Sequence, residues 1–364
     1  MDRLYFLNHS KIDVVFNKTS RDFVVEEVPL YDWSGEGEHL VLKVRKKDLT
    51  TWDMVRILSE HLGVKVRDIG YAGLKDKDGM TMQFVTMPKK GLEEKIESFS
   101  HDKIKILEKT YHNNKLRIGH LKGNKFFLRL KKVLPSNATI LSSLLEQIKK
   151  NGIPNYFGYQ RFGRDRNNFS IGKEILEGVR RERNKKMKNF YISAYQSHLF
   201  NLWLSKRVEI SKLFNGFKED ELNTLFNYSN ETIKQIKAQK NFCKILPGDI
   251  MHHYPHGRAF MTNDIEEDSG RFYEKDITLT GLLAGKKPIK ADGIAGNLER
   301  DFFDECDEYL DKMTGSRRLA WIFPTHIEYK YREDEAQFDL NFFLPKGSYA
   351  TVFLEELLHK EIDI

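Results

Sequence analysis

Two stretches of the chain alternate between apolar and polar positions. In HLVLKV (39–44) Leu40, Leu42 and Val44 fall on one face, and in KFFLRL (125–130) Phe126, Leu128 and Leu130 do so. A period of two predicts half-buried strands of an antiparallel sheet. Between them, TTWDMVRILSEHLG (50–63) changes to a helical period. Val55, Leu58 and Leu62 share a face, a threonine is placed to cap the start, and Gly63 suits the stop. A second helix is predicted at 138–150, with Ile140, Leu141, Leu144, Leu145 and Ile148 inward.

From about residue 180 to 320 the texture becomes helix-rich and charge-dense, with RRERNKKMK, NETIKQIKAQK and NDIEEDSG. Strand texture returns in HIEYKYREDEAQFDLNFFLP, where Ile327, Tyr329, Tyr331 and then Phe338, Leu340, Phe342 alternate around a polar turn, predicting a hairpin. The last helix repeats Ala350, Phe353, Leu354, Leu357 and Leu358 at amphipathic spacing and is expected to close the core. The β-rich first part and the C-terminal part therefore read as one discontinuous domain, 1–178 plus 322–364. A mostly helical domain at 179–321 is inserted into it. No internal repeat or low-complexity tract is present.

With 364 residues and 40% apolar content, two domains are the natural expectation. The 25 Phe and 15 Tyr can fill a core and leave rings for recognition. Sixty Lys and Arg against 53 acids, a net charge of +7, favour a polyanionic partner, nucleic acid first. Cys243 and Cys306 are far apart and lack Cys-x-x-Cys spacing, which argues against a disulfide framework or a cysteine zinc site and for a reduced, cytoplasmic chain. MDRLYFLNHSKIDVVF has no apolar run of signal-peptide length, and no segment approaches the roughly 20 apolar residues of a membrane span.

Three metal or phosphate motifs fail. DKDG opens like a calcium loop, but its next ligand position is Met80 and the distant Glu is missing. GLLAGKK has one residue too few between its glycines for a P-loop, and Lys287 stands where Ser or Thr would hold magnesium. HHYPHG gathers His252, His253 and His256, but Pro255 precludes a regular helix and no carboxylate completes the set, so a solvated loop is expected.

GYAGLKDKDGMTMQF (70–84) has almost no hydrophobic face. Gly70, Gly73 and Gly79 permit sharp turns and close approach, and QFVTM after them reads as a strand, so Asp76 sits on a tight loop at the mouth of a sheet. Composition alone also allows a polar turn whose aspartate caps its own backbone. The string AGLKDKDGMTMQ, however, resembles the signature of the TruD family of tRNA pseudouridine synthases. Ala-Gly-x-Lys-Asp is followed there at fixed spacing by Thr and Gln, here Thr81 and Gln83. RDFVVEEV (21–28), GEGEHLVLKV (35–44), KLRIGHLKGNKFFL (115–128), PNYFGYQRFG (154–163), RERNKK (181–186), SAYQSHLFN (193–201), SRRLAWIFP (316–324) and LPKGSYAT (344–351) resemble family blocks in family order. Residues 210–315 match loosely. Gly79 replaces the usual Ala, a change expected to loosen the loop. Lys18 is the nearest candidate for the lysine that the family carries ahead of its Asp-Phe pair.

The resemblance implies an α+β fold: a pseudouridine-synthase-like catalytic domain with a mixed, mainly antiparallel sheet, and an inserted, mostly helical domain, flanking a basic cleft for tRNA. It makes Asp76 the nucleophile and uridine thirteen of the D arm the target. Breaking the C1'–N1 bond, turning the base and rejoining it through C5 neither adds nor removes atoms, so an acidic residue suffices and neither metal nor organic cofactor is required. An ionised carboxylate calls for a nearby positive charge, for which Lys75, Lys18 and Arg161 stand as alternatives. By resemblance Phe23, Asn155 and Tyr349 line the uridine pocket, with Asn155 reading the base edge, while Phe157 lies near the catalytic loop or buttresses the wall. Plain core packing of the rings, and a turn-forming Asn155 beside Pro154, are the bland alternatives. Arg161, Arg164, Arg166 and the run Arg180, Arg181, Arg183, Lys185, Lys186 suit phosphates. No obligate protein partner is evident. Two rivals stand beside this reading. One is a non-catalytic RNA-binding or chaperone protein; the other is a glycosidase needing a second carboxylate such as Glu26 or Glu27.

Overall fold

The computed structural model describes residues 3–89 and 91–362. The chain forms two compact units. One comprises Asp13–Leu145 and Pro324–Gly347; the other comprises the residues up to Ile12, Glu146–Phe323, and the chain from Ser348 onward. The cuts between these packing units thus fall at other residues than 178/179 and 321/322.

The first unit is built on a nine-stranded sheet. Its strands from the first part of the chain are β1 Val15–Phe16, β2 Phe23–Pro29, β3 His39–Lys47, β4 Gly70–Tyr71, β5 Met80–Pro88, β6 Ile104–His112 and β7 Leu121–Lys131. The predicted hairpin is present as Thr325–Arg332 and Gln337–Pro345. From one edge the order runs hairpin, β7, β2, β5, β3, β6, with β1 paired to β7 and β4 to β5. The second hairpin strand lies against β7 from Gln337↔Lys131 to Pro345↔Gly123. β2 and β5 run parallel, Val24↔Met80 to Glu26↔Met82, and the other strand pairs of this sheet are antiparallel.

Leu40, Leu42 and Val44 pack with Val85 and Met87 of β5 under Met54, Val55, Leu58 and Leu62 of helix α1 (Thr51–Leu62). Val41, on the opposite face, is buried too, beside Ala72, Phe84, Leu116 and Leu121. β3 is therefore covered on both faces rather than half-buried. Helix α1 starts where the sequence places it. The Thr50 hydroxyl accepts from Asp53 N at 3.1 Å while the Asp53 carboxylate accepts from Thr50 N at 3.2 Å, a reciprocal cap. Gly63, at φ +70°, ends it with its N–H donating to Ser59 O.

The second predicted helix spans Pro135–Asn151. Leu141, Leu144, Leu145 and Ile148 are inward, but Ile140 is 43% exposed. It lies about 100° round the helix from Leu141, outside the stripe that the other four define.

The second unit is organised by the helix Lys185–Gly216, which buries Phe200, Trp203, Leu204, Arg207, Val208 and Phe214. The forked Arg207 guanidinium holds Asp249 at 2.6 and 2.7 Å, both side chains buried. The middle segment, expected to be mostly helical, also carries a four-stranded antiparallel sheet in the order Ala259–Met261, Ile250–His253, Ile277–Leu283, Ser316–Leu319. Its longest strand, ITLTGLL, is covered almost throughout, so no alternation marks it in the sequence. His252 and His253 end a strand of this sheet rather than lying in a loop. The last helix, Ala350–Leu358, belongs to this unit and is buried on every side, including Glu355 and Glu356, so it is not amphipathic. Glu356 accepts from Leu7 N at 2.8 Å, and burial pushes its pKa up to about 8.

Replacing Thr50 by Ala removes one of the two capping acceptors. It is expected to lower stability by about 1 kcal/mol, read as a shift in the urea midpoint at unchanged slope.

Candidate active site

The register of the sheet places Asp76. Because β2 and β5 are parallel, Phe23 and Gly79 each precede the first paired residues, Val24 and Met80, at the same end of the sheet. β3 runs antiparallel to β5 and ends there, with Lys46↔Thr81 and Lys47↔Met80. Three strand ends therefore meet beneath residues 72–79, the loop that carries Asp76.

That loop is held by polar contacts. Lys75 N donates to Thr51 Oγ1 at 2.9 Å, and Thr51 Oγ1 donates to Gln83 Oε1 at 3.0 Å. The Lys75 ammonium lies 2.7 Å from Glu27 Oε2, with both side chains buried. Glu27 Oε1 also accepts from Phe84 N at 3.3 Å. Lys46 is fully buried, and its ammonium donates to Leu49 O at 2.6 Å, to the main-chain oxygen of Asp76 at 2.7 Å and more distantly to Thr81 Oγ1 at 3.5 Å. Thr81 and Gln83, the two polar positions following the Asp, are thus inward-facing struts of this network, on alternate residues of β5. Against this anchored backbone Asp76 itself is exposed.

Gly79 has φ +91°, and a Cβ there would come within 2.8 Å of Phe23 Cδ1 and of Phe23 O. The glycine is buried and pressed on Phe23, so it tightens the junction of loop and sheet instead of loosening it. Phe23 is 4% exposed and packs edge-on to Phe16 and stacked on Phe126. Lys18 Nζ lies 5.8 Å from the Phe23 ring centroid. Of the carboxylates weighed for a glycosidase, Glu27 is paired with Lys75 and Glu26 with Lys43 at 2.9 Å.

Asn155, Phe157, Arg161 and Tyr349 belong to the other unit. Asn155 donates from N to Ala320 O at 2.8 Å and from Nδ2 to Leu319 O at 2.9 Å, which fixes both its backbone and its amide. Phe157 is clamped by Asn201, which accepts from Phe157 N and donates to Phe157 O. Its ring is 6.4 Å from that of Tyr349, the residue just before the last helix. Arg161 donates to Ser193 Oγ at 2.7 Å and Ser197 Oγ at 3.3 Å, two turns of one helix face. Arg164 and the run Arg181, Arg183, Lys185, Lys186 are exposed, whereas Arg166 pairs with Glu361 at 2.9 Å and covers the Tyr159 ring.

Two residues absent from the sequence reading stand at the centre of these clusters. Lys46 continues the even-numbered inward series Leu40, Leu42, Val44, so the alternation itself puts a lysine into the core. Arg318 stacks on Phe157 with its guanidinium carbon 3.9 Å from the ring centroid and donates to Asn155 O at 3.0 and 3.2 Å. Burial lowers its pKa to about 10. Its signal is the pair Arg317–Arg318 in a strand: Arg317 takes the other face and binds Glu299 at 2.6 Å. Among the described residues no group of three His, Cys, Asp or Glu is placed to hold a metal, and no helix is long and apolar enough to cross a membrane.

A family model described as tRNA pseudouridine synthase D (TruD) matches residues 2–183 and 222–357. A tRNA pseudouridine synthase D from Nitratiruptor sp. is 54% identical over 363 residues, covering 100% of this chain and 99% of the relative. One from Helicobacter pylori is 44% identical, covering 99% of this chain and 97% of the relative. The crystal structure of a putative tRNA pseudouridine synthase D from Methanosarcina mazei superposes with a TM-score of 0.69 at 20% identity, covering 98% of this chain and 96% of that one. At that identity it speaks for the fold, mixed α and β with a mainly antiparallel sheet.

Breaking the buried Lys75–Glu27 pair should leave a carboxylate without its cation. Lys75→Met is expected to cost about 3 to 5 kcal/mol in urea unfolding, and Lys75→Met combined with Glu27→Leu to recover most of it.

Proposed function

The chain belongs to the TruD family of tRNA pseudouridine synthases, isomerases that convert uridine to pseudouridine in tRNA, and we propose that Asp76 is its nucleophile and uridine thirteen of the D arm its target. The observation that carries the proposal is the contrast within one loop: an exposed Asp76 side chain on a backbone anchored through Lys75 N, Lys75 Nζ and the Asp76 carbonyl. A carboxylate that must meet a reacting atom gains most when its loop does not have to be ordered at the moment of reaction.

In this reading the Asp76 carboxylate adds to the flipped uridine, the C1'–N1 bond breaks, the base turns, C5 bonds to C1' and gives up its proton to water, and N1 takes one up from water, so the proton count is unchanged. No electrons enter or leave, and the carboxylate is regenerated. Asn155 reads the uracil edge with its amide held by Leu319 O. Phe157, backed by Arg318, and Tyr349 replace the stacking that the base loses on leaving the helix, worth about 1 to 3 kcal/mol per ring. Phe23 walls the pocket from beneath Gly79. Lys18 and Arg161 supply positive charge, and Arg164 with the exposed run at 181–186 contacts phosphates. The family's catalytic domain maps to 1–178 plus 322–364 and its inserted domain to 179–321. The enzyme works in the cytoplasm, where its tRNA substrate is processed.

Asp76→Asn is expected to lower pseudouridine formation on unmodified tRNA by more than about 10³-fold while leaving tRNA binding intact. The product is mapped by chemical adduct and primer extension, with filter binding alongside. An active Asp76→Asn protein would remove the nucleophile assignment, and a product at another uridine would remove the D-arm target. Tyr349→Ala should reduce kcat/KM by about tenfold to a hundredfold.

A further inference from the structure

Lys46 is a fully buried lysine whose ammonium donates to two carbonyls and, at longer range, a hydroxyl. An ammonium has three N–H donors and no acceptor, and three acceptors surround it. Two of them belong to segments that must be held relative to each other. Leu49 O closes the corner between β3 and α1, where Asp48 sits at φ +49° and its N–H donates to Gly79 O. Asp76 O belongs to the residue assigned as the nucleophile. The charged groups facing Lys46 from the elements around it are Asp76 and Lys75 of the loop, Asp48 of the corner and Asp53 in the first turn of α1.

We propose that Lys46 is the positioning residue of the catalytic loop, its charged ammonium tying the Asp76 backbone to the β3–α1 corner and to β5, so that loss of its proton slackens the loop and slows isomerisation without weakening tRNA binding. The inference rests on the assignment of Asp76 as nucleophile. A neutral amine has two N–H donors and a lone pair, so one of the three contacts would become a meeting of lone pairs. The Lys46 ammonium reaches both segments from near the end of β3, and arginine alone shares the charge and the donors.

The pH behaviour follows with its sign. Burial pulls the Lys46 pKa down to about 8, against the Asp76 carboxylate, which favours the proton. Between about 8 and the ordinary lysine value near 10.5, the unfolded chain holds a proton that the folded chain has released. The contribution of Lys46 to folding stability therefore rises with pH across that window. A fall in activity there has the opposite sign from anything Lys46 does to unfolding.

The test is a pH profile of kcat and KM for pseudouridine formation, run on the wild type, Lys46→Arg, Lys46→Met and Asp76→Asn, with circular dichroism at each pH. Wild-type kcat is expected to fall along an alkaline limb near pH 8 at steady KM. Lys46→Arg, charged throughout, should keep activity through that window, which also separates the limb from ionisation of the substrate uracil. Lys46→Met should lose about 10²-fold in kcat at every pH and retain tRNA binding. A wild-type kcat without that limb, a limb in Lys46→Arg that coincides with the wild type, or a folded Lys46→Met with wild-type kcat overturns the proposal. If either variant fails to fold, the wild-type profile decides. An active Asp76→Asn protein instead overturns the nucleophile assignment, so the two failures are told apart in one assay.

Discussion

One parallel strand pair in an otherwise antiparallel sheet fixes where this molecule presents its aspartate. Had β2 run antiparallel to β5, its C-terminal end would lie beside Met80 and Phe23 would be at the far edge. The parallel register instead brings Phe23 against Gly79, and the close approach excludes any side chain at that glycine. β3, antiparallel on the other side of β5, delivers Lys46 to the same end. Residues from 23, 46 and 79 converge there because the strand directions require it.

A loop with almost no apolar side of its own cannot be ordered by the hydrophobic effect, and ordering its backbone costs about 1 to 2 kcal/mol per residue. The compensation comes from buried polar groups with matched partners: Lys75 with Glu27, Lys75 N with Thr51, Thr51 with Gln83, Lys46 with two carbonyls. In a low-dielectric setting such contacts are strong when complete and costly when one member is missing. The second unit uses the same device around Phe157, where Asn201 takes both backbone groups and Arg318 covers the ring.

The regular elements were legible because each carries a local signal. The period of two in 39–44 and 125–130, the Thr50 and Gly63 boundaries of α1 and the hairpin at 325–345 are all in the structure. What failed to show was non-local or lacked a period. Ile277–Leu283 is buried along its length and does not alternate. Ala350–Leu358 is apolar enough to look like one face of an amphipathic helix, yet its two glutamates are inside, where Leu7 and Arg3 meet them. Asp76 stands out only through its string of neighbours, since nothing about a solitary loop aspartate marks it. Lys46 was readable from alternation alone, as a charge at an inward position. Arg318 required knowledge that its strand faces Phe157.

The pairing of β7 with Gln337–Pro345 also has a meaning in time. β7 presents Phe126, Leu128 and Leu130 on one face and, on the side later filled by the hairpin, most of a row of open amide and carbonyl groups. During synthesis the partner strand appears roughly two hundred residues after β7, which at about 5 to 20 residues per second is a wait of tens of seconds. Through that interval this side of β7 lacks its partner, and Lys122, Lys125, Arg129 and Lys131 along the strand are the charges that discourage another chain from pairing there.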